Sequence, residues 1–229
     1  MEIVTNNERV RKARKTNLEL LLANHPNDCL NCDRNQNCEL QKLAYELGVR
    51  ESSFAKTRKK DMPLDISSPS LVRDPNKCIL CGRCVAVCAD VQSVYAIDVT
   101  GRGIHSKVTT FMDKGLGNVS CTNCGQCSIV CPTGAITEKS DVNNVWKDIY
   151  DPEIVTLVQT APAIRVGIGE AMGEGPGALV TGQMVSGLRR LGFDKVFDTQ
   201  FTADLTIMEE GHELINRIKT GGTLPMMTS

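Results

Sequence analysis

The chain has 229 residues, 26 basic against 27 acidic side chains for a formal net charge of −1, 41% hydrophobic residues and 4% aromatic ones. This balance argues against a nucleic-acid binder, whose footprint is basic, and no apolar run reaches the roughly 20 residues of a membrane helix. Leu20-Leu21-Leu22 lies too far in, with charge on both sides, to be a signal-peptide core. Eleven cysteines are an odd number, so a disulfide framework leaves one thiol over, and a reducing compartment disfavours that framework anyway. Metal binding is the better use of so many thiols. If one of His25, His105 and His212 joins them, twelve ligands make three sites of four.

Taken in chain order, residues 7 to 24 read as a helix capped by Asn6 or Asn7, with Val10, Ala13, Leu18, Leu21 and Leu22 near helical spacing. Its other side carries Arg9, Arg11, Lys12, Arg14 and Lys15, read as a solvated face rather than a docking surface. His25-Pro26 ends it, because a residue before proline disfavours the helical region. A short helix is expected at 38–48, stopped by Gly48. Residues 52–72, with Lys56, Arg58, Lys59, Lys60 and then Pro63, Ser67, Ser68, Pro69 and Ser70, read as a linker. Residues 73–140 hold a repeat: Cys78, Cys81, Gly82, Cys84 and Cys88 recur 43 positions later as Cys121, Cys124, Gly125, Cys127 and Cys131, which suggests pseudo-two-fold symmetry. From about 145, strands are expected at 154–159, 164–168, 195–198 and 224–228, and helices at 178–191 and 203–219. That alternation is of the α/β kind.

The repeat spells C-x2-C-x2-C-x3-C twice, with Pro132 after the last cysteine, the spacing of two-cluster bacterial ferredoxins. Zinc sites usually use two close pairs from separate hairpins, so four cysteines within eleven residues suit zinc poorly. In the ferredoxin arrangement the fourth thiolate comes from the other motif. Cys78, Cys81, Cys84 and Cys131 are therefore assigned to one [4Fe-4S] cluster, and Cys88, Cys121, Cys124 and Cys127 to the other. Gly82 and Gly125 fit loops whose backbone approaches sulfide closely. The remaining Cys29, Cys32 and Cys38 are one ligand short, and His25 stands four residues before Cys29. Imidazole in place of thiolate makes such a cluster less negative and easier to reduce, as in Rieske centres. His105 and His212 have no cysteine near them and read as surface residues. Gly167, Gly169, Gly173, Gly175 and Gly177 miss the G-x-G-x-x-G spacing and read as a strand-to-helix loop rather than a nucleotide site. Asp198, Asp204, Glu209 and Glu210 read as helix-start and surface charges.

His25-Cys29-Cys32-Cys38 followed by the duplicated motif resembles the electron-entry half of multi-cluster [FeFe]-hydrogenases. The same order occurs in the iron–sulfur subunit of complex I and in NAD-linked formate dehydrogenases. Residues 159–166 (QTAPAIRV), 191–199 (LGFDKVFDT) and 203–210 (ADLTIMEE) resemble the first segments of the hydrogenase catalytic domain, most closely that of NAD(P)-linked or electron-bifurcating enzymes. The resemblance runs from about residue 4 to 229. It implies an α+β chain in three parts. A small [4Fe-4S] domain with one histidine and three cysteine ligands spans 1–62, a two-cluster ferredoxin-like domain 63–140, and the start of an α/β hydrogenase domain 141–229. Leu224 to Ser229 resembles the run-in to the family's T-S-C-C-P motif and stops before the first cysteine of the catalytic H-cluster. An excised fragment, a truncated product and a recoded selenocysteine codon at 230 are the readings of that end. The chain is therefore expected to conduct electrons without being catalytic alone, as a cytoplasmic relay for hydrogen oxidation or proton reduction. Implied partners are a flavin-containing NAD(P)H-oxidising subunit and a small [2Fe-2S] subunit in a hetero-oligomer, with no nucleic acid and no membrane span. A complex I-like or formate dehydrogenase-type subunit is the alternative, and a zinc-stabilised interaction module is the third reading.

Overall fold

The computed structural model of the protein describes residues 3–55 and 62–228. The chain divides into two compact units, Met1–Ser140 and Asp141–Ser229. Both combine helices with two-stranded sheets.

Unit 1 opens with helix α1 (Glu8–Ala23). Asn7 caps it, its side chain accepting the Val10 N–H at 2.8 Å. The basic first half of α1 is exposed. Only Leu18 and Leu22, one turn apart, are buried, against Leu40 and Val49. Leu40 belongs to helix α2 (Glu39–Glu46), which begins directly after Cys38. A small apolar cluster thus clamps both sides of the segment that carries His25, Cys29, Cys32 and Cys38.

The remainder of unit 1 is built on two antiparallel strand pairs. Strand β1 (Leu71–Arg73) pairs with β4 (Ile136–Glu138), Val72 opposite Thr137. Strand β2 (Asp98–Thr100) pairs with β3 (Lys107–Thr109), Val99 opposite Val108. Each copy of the cysteine repeat forms a loop leading into a one-turn helix: α3 (Arg83–Ala86), followed by a π-turn, and α4 (Gln126–Ile129). The core is Leu71, Cys84, Ile97, Val108, Leu116 and Ile136, with Cys78, Cys88, Cys121, Cys127 and Cys131 among the residues packed on it. Half of the expected linker is also packed. Ser68 is fully buried, Asp65 bridges to Arg73, and 71–73 is strand, while Lys56, Arg58, Lys59 and Lys60 lie outside the described residues.

Unit 2 contains α5 (Val142–Ile149), then β5 (Leu157–Thr160), α6 (Ile164–Ala171), α7 (Thr181–Leu191), β6 (Lys195–Asp198) and α8 (Thr199–Thr220). Strands β5 and β6 are parallel, Leu157 opposite Lys195 and Thr160 opposite Asp198, with two helices in the crossover. The Thr156–Asp194 pair sets this register: the Asp194 carboxylate accepts both the N–H (2.7 Å) and the hydroxyl (2.9 Å) of Thr156.

Three expectations are corrected here. Residues 164–168 are helical rather than extended, because Ile164 and Ile168 are one helical turn apart and Gly169, on the same helix, lets Val180 approach closely. Gly167 and Gly169 consequently lie inside α6, and only Gly173 and Gly177 take the positive φ of a loop. Residues 224–228 form no strand, and Val142–Ile149 adds a helix that the apolar spacing did not announce. Among the described residues no helix is long and apolar enough to cross a membrane.

Candidate metal centres

All eleven cysteines are free thiols, and unit 1 gathers them with His25 around three cavities. The first, about 430 Å³, is lined by Cys78, Cys81, Cys84 and Cys131. The second, about 350 Å³, is lined by Cys88, Cys121, Cys124 and Cys127. The third, about 340 Å³, is lined by His25, Cys29, Cys32 and Cys38. The structure thus brings together the twelve residues singled out by spacing, in the same three sets. His105 and His212 stand outside all three.

The backbone shows why the cysteine spacing works. Leu80 (φ 58°) and Gly82 (φ 76°) adopt left-handed conformations, and Asn123 (φ 55°) and Gly125 (φ 75°) repeat them 43 residues later. Two left-handed residues wind each loop tightly enough for its thiols to face one centre. Glycine carries the second position at no steric cost, and Asn is a tolerated choice at the first. The same winding directs backbone N–H groups at sulfur. Leu80 donates to Cys78 Sγ and Asn123 to Cys121 Sγ, both at 3.4 Å, and Ala96 does the same for Cys88. Such donors favour the thiolate, the form that binds metal.

Burial and crowding raise one thiol in each of the three sets. Burial pushes the Cys84 thiol up to about 12, reinforced first by Cys78 and Cys131 and then by Cys81 and Cys127. Burial and the charge of Cys121 push Cys127 up to about 11, with Cys124 and Cys88 adding and a Ser128 backbone hydrogen bond opposing. Cys29 is raised by burial and then by Cys38 and Cys32. Thiols crowded in this way repel one another as anions, and a cationic centre relieves that repulsion.

The kind of centre follows from size. Among the described residues no three His, Cys, Asp or Glu side chains converge closely enough for a single metal ion. Zinc with bonds of about 2.3 Å would draw its sulfurs to within roughly 4 Å of each other. Cysteine sets that line one cavity without converging on a single ion suit a polynuclear iron–sulfur group instead.

Spacing alone missed the walls. Pro132 O accepts the Glu39 N–H at 3.0 Å and lies 3.6 Å from Cys38 Sγ, while Pro132 also lines the Cys78 cavity. Gly134 lines the His25 cavity, where an added Cβ would lie 2.7 Å from Cys32 Sγ. Arg34, in the same wall, donates to Ser128 O at 2.8 Å. These contacts join residues more than 90 positions apart. The only hint in the chain was the proline after Cys131.

Two cysteine-lined cavities on a ferredoxin-type repeat, with a third on the segment before it, are those of an iron–sulfur electron-transfer protein. The comparisons with known proteins agree. Residues 77–135 match the 4Fe-4S dicluster domain, 14–53 the NADH-ubiquinone oxidoreductase-G iron-sulfur binding region, and 154–229 the C-terminal domain of the iron only hydrogenase large subunit. Over its full length the chain is 46% identical to NADP-reducing hydrogenase subunit HndD of Solidesulfovibrio fructosivorans, covering 40% of that protein. It is 39% identical to iron hydrogenase 1 of Clostridium pasteurianum, again over the whole chain and 40% of the relative. A crystal structure of NAD+-reducing [NiFe]-hydrogenase in the H2-reduced state matches 61% of this chain and 59% of its own, at 33% identity and a TM-score of 0.57. The chain spans about two fifths of the length of these curated relatives.

Proposed function

We propose that the chain is a three-cluster electron relay serving a hydrogen-oxidising or proton-reducing site. In this reading Cys78, Cys81, Cys84 and Cys131 hold one [4Fe-4S] cluster, Cys88, Cys121, Cys124 and Cys127 a second, and His25, Cys29, Cys32 and Cys38 a third. The domain limits are those of the three motifs: 1–62, 63–140 and 141–229, the last the start of an α/β hydrogenase domain. The observation that carries the reading is the sorting of all twelve ligands into three cavities of similar size.

A bound cubane supplies one-electron storage at a potential set by its ligands, hydrogen bonds and burial. The chain's own residues do the rest. The thiolates fix position, the N–H groups of Leu80, Asn123 and Ala96 stabilise negative sulfur, and Leu71, Leu116 and Ile136 keep water from the first two sites. His25 lowers the negative charge of the third. Its Nδ1 accepts the Asn27 N–H at 3.3 Å.

The match of 154–229 to the hydrogenase C-terminal domain favours a hydrogenase over a complex I-type or formate dehydrogenase-type assembly. A flavin-containing NAD(P)H-oxidising subunit and a small [2Fe-2S] subunit fit the NADP-reducing and NAD+-reducing character of two of the similar proteins, in a cytoplasmic hetero-oligomer. Anaerobic reconstitution with iron and sulfide tests the relay. About twelve iron atoms per chain are expected from three four-iron clusters. About eight, unchanged by His25→Ala, would remove the third site, and colourless zinc-loaded protein would remove the relay altogether.

A further inference from the structure

One buried charge beside the first cavity is used by none of the features above. Arg73, on β1, is 7% exposed and lines the cavity of Cys78, Cys81, Cys84 and Cys131. Its Nη1 donates to Val108 O at 2.7 Å, and Val108 lines that cavity as well. Its Nε lies 3.5 Å from Asp65 Oδ2, an ion pair with both side chains about nine-tenths buried.

Asp65 itself is firmly held as an anion. Burial pushes its carboxyl up, but hydrogen bonds from the Ser67 hydroxyl and from the N–H groups of Leu116 and Ser67, with the Arg73 charge, outweigh this and leave it below the usual value. The two partners differ in place. Asp65 lines a neighbouring cavity, whereas Arg73 lines both that cavity and the cysteine one. The pair is neutral as a whole, yet its positive member is the one at the thiol-lined wall.

We propose that Arg73 sets the reduction potential of the group held by Cys78, Cys81, Cys84 and Cys131, with Asp65 as its counterweight. The inference rests on the cluster reading given above. Reduction adds one electron to that group and, at this site, moves no proton and breaks no bond. A buried cation stabilises the more negative product, because charges interact strongly where water is excluded. Charge, burial and hydrogen bonding are the means by which a protein tunes such a group. Removing the cation therefore makes reduction harder, and removing its counterion makes reduction easier.

The test is an electron paramagnetic resonance redox titration of the full reconstituted chain, with dithionite as reductant and the other two clusters as internal references. Arg73→Met is expected to shift the reduced-to-oxidised ratio of one cluster at least tenfold toward oxidised, equivalent to about 59 mV for one electron. Asp65→Asn is expected to shift it toward reduced, and Arg73→Lys to stay within about threefold of the parent, the charge being kept. A residue that merely props up Val108 produces no such pair of opposite signs. Shifts in the same direction for Arg73→Met and Asp65→Asn, or equal shifts of all three clusters, overturn the inference. If Arg73→Met does not load, Asp65→Asn and Arg73→Lys still decide the sign. An iron content far below twelve in the parent defeats the cluster reading instead, before any variant is compared.

Discussion

Units 1 and 2 hold themselves together in different ways. Both hydrophobic clusters among the described residues lie in unit 1, and the larger one is packed with cysteines: Cys84 within it and Cys78, Cys88, Cys121, Cys127 and Cys131 against it. Unit 2 has no cysteine, buries Val180 and Met184, and leaves Leu157, Phe201, Ile207 and Met208 largely exposed. The first unit has put thiols where another domain would put leucine. In the second, ordinary apolar burial and hydrogen bonds such as Thr156–Asp194 carry the fold.

The strongest way to break this contrast is to remove iron. Anaerobic chelation is expected to collapse hydrogen-exchange protection in β1–β4 while α7 and α8 keep theirs, since metal binding in such sites is coupled to folding. Equal protection of unit 1 with and without iron would show that its apolar core suffices. Next in size is Gly134→Val, whose side chain meets Cys32 Sγ. It is expected to drop iron from about twelve to about eight per chain while sparing the ferredoxin pair, as read by metal analysis and resonance spectra.

Single core truncations sharpen the comparison. Leu71→Ala, 2% exposed in the larger cluster, is expected to cost roughly 3–5 kcal/mol in denaturant unfolding of the loaded chain. Met184→Ala, outside any such cluster, should cost about 2 kcal/mol. Parity between them would remove the distinction.

The smallest effect is one of pH. Asp194 in unit 2 has its carboxyl held below the usual range, chiefly by the backbone N–H and then the hydroxyl of Thr156. A depressed native pKa adds stability above the unfolded value, near about 4, and that stability is lost as pH falls through the native value. Asp194→Asn is therefore expected to unfold more easily than the parent at about pH 7, where the parent's carboxylate is ionised, and to match it in strong acid. A gap independent of pH would refute the assignment.

The residues that line the three cavities were legible because they recur at fixed local spacing: three thiols within seven residues, twice, and a histidine shortly ahead of three more. Strand β6 and helix α7 were legible for a similar reason, each being a local apolar pattern with Gly192 as a stop. Residues 164–168 were misread because a short apolar run flanked by proline and glycine satisfies either period. The three-residue strands of unit 1 are too short to show alternation, and only pairing with a distant segment or across a tight turn defines them. The walls at Gly134 and Arg73 were invisible, and Pro132 was legible only as part of the motif, since their meaning lies in distant contacts.

The wall at Pro132–Gly134 also has a consequence for synthesis of the chain on the ribosome. Cys29, Cys32 and Cys38 leave the exit tunnel early, yet Gly134, against which Cys32 rests, is translated 96 codons after Cys38. At roughly 5–20 residues per second the delay is about 5–20 s. Cys78, Cys81 and Cys84 likewise wait for Cys131, while the set that ends at Cys127 closes four codons sooner. The three pockets therefore mature almost together, near the end of unit 1, and the earliest thiols need shelter from oxidation until then.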